Sequence, residues 1–197
     1  MTAEDILQAI RRKHNRAAIV SEVVLTDEYE LSLCRRHQID SAGPALAARY
    51  RRIFERSGEV VADVLPEGWD AGASKSIRRI DGLMLEGGRF TSIEIKLTRA
   101  DFRRDTEEKR RAWRNVTDRF VYATPKGLLS PSELPAYAGL WEFDPLAHWR
   151  HQVASVKRAT TNKSLEPLPQ QIVTAMFYRA ARAEQSKIGR SPSVRRR

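Results

Sequence analysis

Apolar and polar positions recur with two different periods along this chain, and the changes of period mark its expected elements. Over residues 3–18, Ile6, Leu7 and Ile10 recur at helical spacing, with Arg11, Arg12, Lys13 and Arg16 on the remaining surface. Residues 19–25 then turn β-branched, Ile-Val-Ser-Glu-Val-Val-Leu, and read as a strand with one acid, Glu22, set in it. An edge strand with a solvent-facing glutamate explains that acid as well as a functional role does. Between Thr26 and Ser76 the pattern loosens. Residues 44–56 form a clear helix there, with Pro44 in its first turn, Leu46, Tyr50, Ile53 and Phe54 on one face, and Ser57-Gly58 as its stop. Residues 60–65 are expected as a short strand, and the whole segment 26–76 reads as a helical insertion.

Residues 78–96 read as two strands joined at Gly87-Gly88, a dipeptide suited to the positive backbone angles of a two-residue hairpin turn. Directly opposed residues then have numbers summing to 175, so Asp81 faces Glu94. Strand alternation puts Lys96 on the same face as Glu94. Like charges opposed across strands are unfavourable, so this pair calls for a cation between them. After Lys96, Thr98 with Asp101 three residues on predicts a helix start, and the helix is expected to run to about Val116 with Phe102, Trp113 and Val116 at core spacing. In one continuous helix Arg99, Arg103, Arg110 and Arg114 would align, and Asp105 with Lys109 and Glu107 with Arg111 would be favourable i,i+4 pairs.

Further strands are expected at 118–123 and 139–144, with 152–156 returning beside the latter. A closing helix over 169–183 presents Ile172, Val173, Met176, Phe177 and Ala180 on one face. Trp141 and Trp149 suit the core better than base stacking. Residues 185–197 hold five basic residues and no acid, which predicts a flexible basic tail. The organisation is therefore one domain over 1–184, with its insertion, followed by the tail.

Charge narrows the class of partner. The chain of 197 residues carries a formal net charge of +10, so polyanions are its natural partners, nucleic acid first. No apolar run approaches a membrane span, and the acidic amphipathic start lacks the basic and apolar regions of a signal peptide. One cysteine, Cys34, excludes an internal disulfide framework and fits a reducing cytoplasm. Cys34 and His37 are three apart, but nothing nearby completes a zinc-type ligand set. No P-loop, dinucleotide-binding glycine motif or Ser/His/Asp pattern is present.

Phosphodiester hydrolysis needs a polarised phosphate, an activated water and charge stabilisation at the departing oxygen. Carboxylate-held Mg²⁺ and a neighbouring lysine supply these. Asp81, then Glu94-x-Lys96 on the next strand, is such a set in compact form. Taken with Arg78-Arg79-Ile80-Asp81, Ile93 to Asp105, Trp113, Thr117 to Phe120 and Gly139-Leu140-Trp141, it resembles the PD-(D/E)XK nuclease superfamily. Within that superfamily it is most like the MmcB family of DNA-repair proteins. The resemblance covers roughly residues 15–25 and 77–145. It implies an α/β fold with a restriction-endonuclease-like core, a central mixed sheet flanked by helices. It also implies Asp81 and Glu94 as Mg²⁺ ligands (Mn²⁺ substituting), Lys96 as the catalytic lysine, and Glu22 as a further metal or water ligand. Isoleucine rather than proline precedes Asp81, and the segment 26–76 is longer than that family leads one to expect.

The expected activity is therefore Mg²⁺-dependent hydrolysis of DNA, in repair or related processing, with RNA a substrate the sequence leaves open. Arg79, Arg99, Arg103 and Arg110 are the candidate phosphate contacts. A non-catalytic DNA-binding or repair-scaffold protein retaining the fold explains the charge equally well. A plain salt-bridged sheet face is the third reading.

Overall fold

The computed structural model describes residues 1–188. Thr2 caps the first helix, α1 (Ala3–Lys13), through a reciprocal box with Asp5: Asp5 N–H donates to Thr2 Oγ1 at 3.2 Å and Thr2 N–H to Asp5 Oδ2 at 2.7 Å. The helix ends at Lys13, five residues short of the expected stop. Strand β1 (Ala18–Thr26) follows, then helices α2 (Glu28–Asp40) and α3 (Pro44–Ser57). Strands β2 (Ile77–Glu86) and β3 (Arg89–Ile95) form the hairpin. Helices α4 (Arg99–Arg103) and α5 (Glu107–Val116) cross over to β4 (Arg119–Pro125), followed by β5 (Gly139–Phe143), β6 (Val153–Lys157) and α6 (Gln170–Ile188).

The fold is α/β, a six-stranded mixed sheet in sequence order with helices beside it. Strand β2 is antiparallel to β3, β3–β4 and β4–β5 are parallel, and β6 returns antiparallel to β5. The hairpin register runs from Glu86↔Arg89 to Gly82↔Ile93, every pair summing to 175. Gly87 and Gly88 have φ of 57° and 75°, the left-handed geometry that only glycine adopts freely.

By chain contacts the structure divides into one unit of Met1–Val23 with Arg79 onward, and a second of Val24–Arg78. In the first unit, Ile6, Leu7, Ala9 and Ile10 of α1 pack on Met84, Ile93, Ile95, Ala123, Phe143 and Val153. Each large aliphatic side chain buried there stabilises the fold by roughly 1.5–3 kcal/mol. Gly82 lets α1 approach, since a Cβ there would lie 3.2 Å from Leu7 Cδ1. Alternation turns Ser92, Glu94 and Tyr122 to the other face, under α4 and α5, where Phe102 and Phe120 meet the Tyr122 ring edge-on, each at 5.3 Å.

In the second unit α2 packs against α3. The expectation of a loose pattern there missed α2, whose weak amphipathicity hides it; Asp27 caps it by accepting from Glu30 N–H at 3.3 Å. Helix α3 forms as expected but buries only Phe54 of its apolar face, leaving Leu46 and Ile53 exposed. No strand forms at residues 60–65, where the chain stays irregular and Ala62 N–H is taken by Ser32 O at 3.1 Å. Cys34 Sγ lies 3.3 Å from Ser74 Oγ, and His37 packs against Trp69 at 5.5 Å.

The helix expected from Thr98 to Val116 is broken. Thr98 caps α4 as anticipated, accepting from Asp101 N–H at 3.1 Å, but Thr106 caps a second helix by accepting from Lys109 N–H at 3.4 Å. Thr106-Glu107-Glu108 is a helix-start signal in its own right, a capping hydroxyl followed by acids in the first turn. Helix α6 runs through Ile188, past the expected boundary at 183–184, and of its apolar face Ile172 is buried while Val173 and Phe177 are exposed. Residues 189–197 of the expected basic tail lie outside the described residues. Trp141 is half-buried and stacks on His14 at 5.1 Å, whereas Trp149 is exposed beneath Arg150.

Candidate functional site

The site is built at the carboxyl end of β3, where the chain leaves the sheet for the α4–α5 crossover. Lys96 lies one residue beyond β3 but is still held to the sheet, its N–H donating to Ala123 O at 3.0 Å. Asp81, on β2, is half-buried, and its Oδ2 accepts from Ile95 N–H at 2.7 Å. Asp81 is therefore fixed beside the Glu94–Lys96 segment by a backbone bond. Asp81, Glu94 and Lys96 come together, as the hairpin register implies.

Glu94 and Lys96 are both buried, and Lys96 Nζ donates to Glu94 Oε1 at 2.9 Å. The crossover contributes more than the sequence pattern indicated. Lys109, from the first turn of α5, also donates to Glu94 Oε1. Asp105, in the break between α4 and α5, places Oδ1 3.3 Å from Lys96 Nζ. Its Oδ2 accepts from Tyr122 Oη and from Arg110 at 3.1 Å. Arg110 is further held by Glu107 Oε2 at 2.8 Å, and Glu107 in turn accepts from the Tyr137 hydroxyl at 3.2 Å. Asp101 stands 3.9 Å from Lys96 on the solvent side.

Two oxygens in this network have no hydrogen-bond partner although they are buried: Glu94 Oε2 and Asp105 Oδ1. Asp105 Oδ1 still has the Lys96 ammonium nearby. Glu94 Oε2 has no hydrogen-bond donor among the described residues, although two ammonium groups stand on the other oxygen of that carboxylate, and an unsatisfied buried carboxylate oxygen is costly. Burial, the largest influence, raises the Glu94 pKa above the usual carboxylate value. Lys109 and Lys96 pull it back, while the Asp81 charge pushes it further up. For Lys96, burial acts to lower the pKa, but Glu94, Asp105 and Asp101 together more than reverse it, so the ammonium is held charged. Burial, with Asp105 next, drives the Tyr122 pKa well above the usual phenol value, so its hydroxyl stays a donor.

The remaining sequence-derived candidates lie elsewhere or are engaged. Glu22 is exposed, has a left-handed backbone at φ 50°, and pairs with exposed Arg79 at 3.7 Å. Among the described residues no ion pair or hydrogen bond joins its side chain to Asp81, Glu94 or Lys96. Arg99 is exposed and pairs with Glu133 at 2.5 Å, Arg103 is exposed, and Arg110 is largely withdrawn into the Asp105–Tyr122 network. The break at residues 104–106 removes the continuous alignment of these arginines. Asp105, Lys109 and Tyr122 were not singled out as site residues from sequence; Thr106 as a cap was the one signal that would have turned Asp105 inward.

Among the described residues no group of three or more His, Cys, Asp or Glu stands ready to hold a metal ion. An all-protein cage of the zinc or calcium kind is therefore not built here. Mg²⁺ makes a smaller demand, one or two carboxylates with water and substrate phosphate completing its shell. Asp81 and Glu94, with its orphaned buried oxygen, are the two carboxylates that would hold such an ion.

Three comparisons with known proteins bear on the chain. No family model matches it, and no curated protein does. Among solved structures it is similar to a protein of unknown function from Silicibacter pomeroyi, with a TM-score of 0.42 and 23% sequence identity over 83% of this chain and 92% of that one.

Proposed function

We propose that this chain is a Mg²⁺-dependent nuclease that hydrolyses DNA phosphodiester bonds, in DNA repair or related DNA processing, on a restriction-endonuclease-like version of its α/β fold. The observation that carries this reading is the orphaned, buried Glu94 Oε2 beside Asp81 and Lys96. The resemblance of these residues to the PD-(D/E)XK superfamily and its MmcB family supports it, as does the net charge of +10. The reading places the protein in the cytoplasm; no helix among the described residues is long and apolar enough to cross a membrane.

Asp81 and Glu94 would hold the ion. When bound, Mg²⁺ supplies polarisation of the scissile phosphate and of an attacking water. Lys96 stays protonated, so it acts as a cationic donor to the charge developing on phosphate oxygens, and not as a general base. Asp105 fixes where that ammonium points, and Tyr122 and Arg110 fix Asp105. Arg79, Arg99 and Arg103, all exposed, would meet backbone phosphates, the first two in exchange for Glu22 and Glu133, whereas Arg110 supports the site from within.

One observation favours the alternative of a non-catalytic DNA-binding or scaffold protein: Glu94 Oε1 already has two ammonium partners. A cleavage panel decides between the two. Single-stranded, nicked, branched and abasic DNA are incubated with Mg²⁺ or Mn²⁺, with EDTA and Glu94→Ala as controls. Metal-dependent cleavage lost in Glu94→Ala is expected; binding without cleavage of any form supports the scaffold.

A further inference from the structure

Glu94 is already paired before any metal arrives. Lys96 and Lys109 both donate to its Oε1, Asp105 and Asp101 also face Lys96, and Arg110 lies between Asp105 and Glu107. A divalent ion that comes to Glu94 meets two ammonium groups at that carboxylate, and like charges this close in a poorly solvated site repel unless a resident cation departs.

The three cations are not equally free to leave. The Lys96 side chain is 5% exposed and Arg110 15%, each fixed by more than one carboxylate, whereas Lys109 is 29% exposed. Besides Glu94, Lys109 has among the described residues only the Asp105 oxygen at 3.9 Å, a long contact. It also stands in the first turn of α5, the end of a helix least favourable to a positive charge. A lysine stem swings to solvent at little cost.

We propose that Lys109 is a tethered counter-ion of the metal centre: its ammonium neutralises Glu94 in the resting site and withdraws to solvent when a divalent cation binds there. This rests on the proposed metal centre and adds to it a regulation, since the chain carries its own competitor for the ion. Glu94 then stays paired until the metal, with the phosphates of a bound substrate, displaces the lysine. Arg110 and Lys96 remain in place throughout, so the geometry around Asp105 is kept.

Calorimetric titration with Mn²⁺ of wild type, Lys109→Met, Lys109→Gln and Glu94→Gln tests this, with circular dichroism confirming the fold of each. Removing a competitor whose half-buried pair is worth about 1 kcal/mol tightens binding about fivefold. Lys109→Met and Lys109→Gln are therefore expected to bind Mn²⁺ about fivefold more tightly than wild type, and Glu94→Gln not to bind. Binding by the two Lys109 variants with none by wild type supports the proposal in its strongest form. Wild-type and Lys109-variant affinities that agree within twofold, with Glu94→Gln silent, overturn the counter-ion and leave the metal centre standing. No binding by any of the proteins, or undiminished binding by Glu94→Gln, overturns the metal centre and the counter-ion with it. A second readout uses wild type alone. Lys109 acetylation by an amine-reactive ester, followed by mass spectrometry, should rise on adding Mn²⁺ while Lys96 stays protected; unchanged or reduced labelling of Lys109 counts against withdrawal.

Discussion

Each of the two units contains a buried group of charges, and they are finished to different degrees. In the Val24–Arg78 unit, Glu30 Oε1 accepts from Trp69 Nε1 at 2.9 Å and from Ser74 Oγ at 2.7 Å, while its Oε2 faces Arg78 at 3.8 Å. Asp27 caps α2 with one oxygen and meets Arg78 Nε at 3.3 Å with the other. Every buried carboxylate oxygen there has a partner. In the Glu94 group Glu94 Oε2 has no hydrogen-bond donor among the described residues, and Lys96 and Lys109 both crowd its Oε1. A completed network suits a role in holding the fold, and an incomplete one at a sheet end is where a ligand would find an unused oxygen. The proposed function rests on that difference.

Mutation should separate the two groups. Glu30→Ala strands the Trp69 N–H and the Ser74 hydroxyl and takes one of the carboxylates facing Arg78, so it is expected to cost about 3 kcal/mol in urea unfolding. Glu94→Gln removes a charge that burial already disfavours, so its stability should stay within about 1 kcal/mol of wild type while cleavage is lost. If the two substitutions cost the same, the Glu94 group is as structural as the Glu30 group and the comparison fails.

pH sharpens the contrast. The folded-state pKa of Glu94 is raised, chiefly by burial. Below the unfolded value, about 4.3, its contribution to stability is whole, and it is lost as pH rises through the folded pKa, because there the native chain holds a proton that the unfolded chain has shed. Wild type should lose stability relative to Glu94→Gln as pH rises from the unfolded value through the raised folded pKa. Unfolding midpoints of the two proteins that stay parallel across that range contradict it. The smallest effect is expected at the surface. Glu22 holds φ 50° with only the exposed Arg79 as side-chain partner, so Glu22→Gly should raise stability by about 0.5–1 kcal/mol. A fall in melting temperature shows that the Glu22–Arg79 pair outweighs the strain.

The hairpin and the three charged residues on it were legible in the sequence because they follow from local rules. A Gly-Gly turn sets the register, and the register with strand alternation sets which side chains share a face. The β4, β5 and β6 strands were legible for the same reason, as short apolar runs bounded by turn residues. What was not legible depends on tertiary docking. Asp105 looked like one member of a helix-surface pair with Lys109, and only the break after Arg104 turns it toward Lys96. Arg110 looked like a phosphate contact, yet Tyr122, from a strand twelve residues on, draws it inward. Glu22 entered the candidate site through the resemblance, while its place in the strand fitted a solvent-facing acid equally well; it is exposed beside Arg79, with a left-handed backbone inside β1.

Helix α4 has five residues, too few to persist on intrinsic propensity. Its order comes from the Thr98 cap and from Phe102 against the Tyr122 ring. The wall beside Lys96 is thus the least self-sufficient part of the crossover, and α5 can remain folded while α4 frays. Amide hydrogens of residues 101–105 should exchange with solvent well before those of 111–116. Fraying there would wet the Lys96 ammonium from the α4 side, while the sheet behind it keeps its hydrogen bonds.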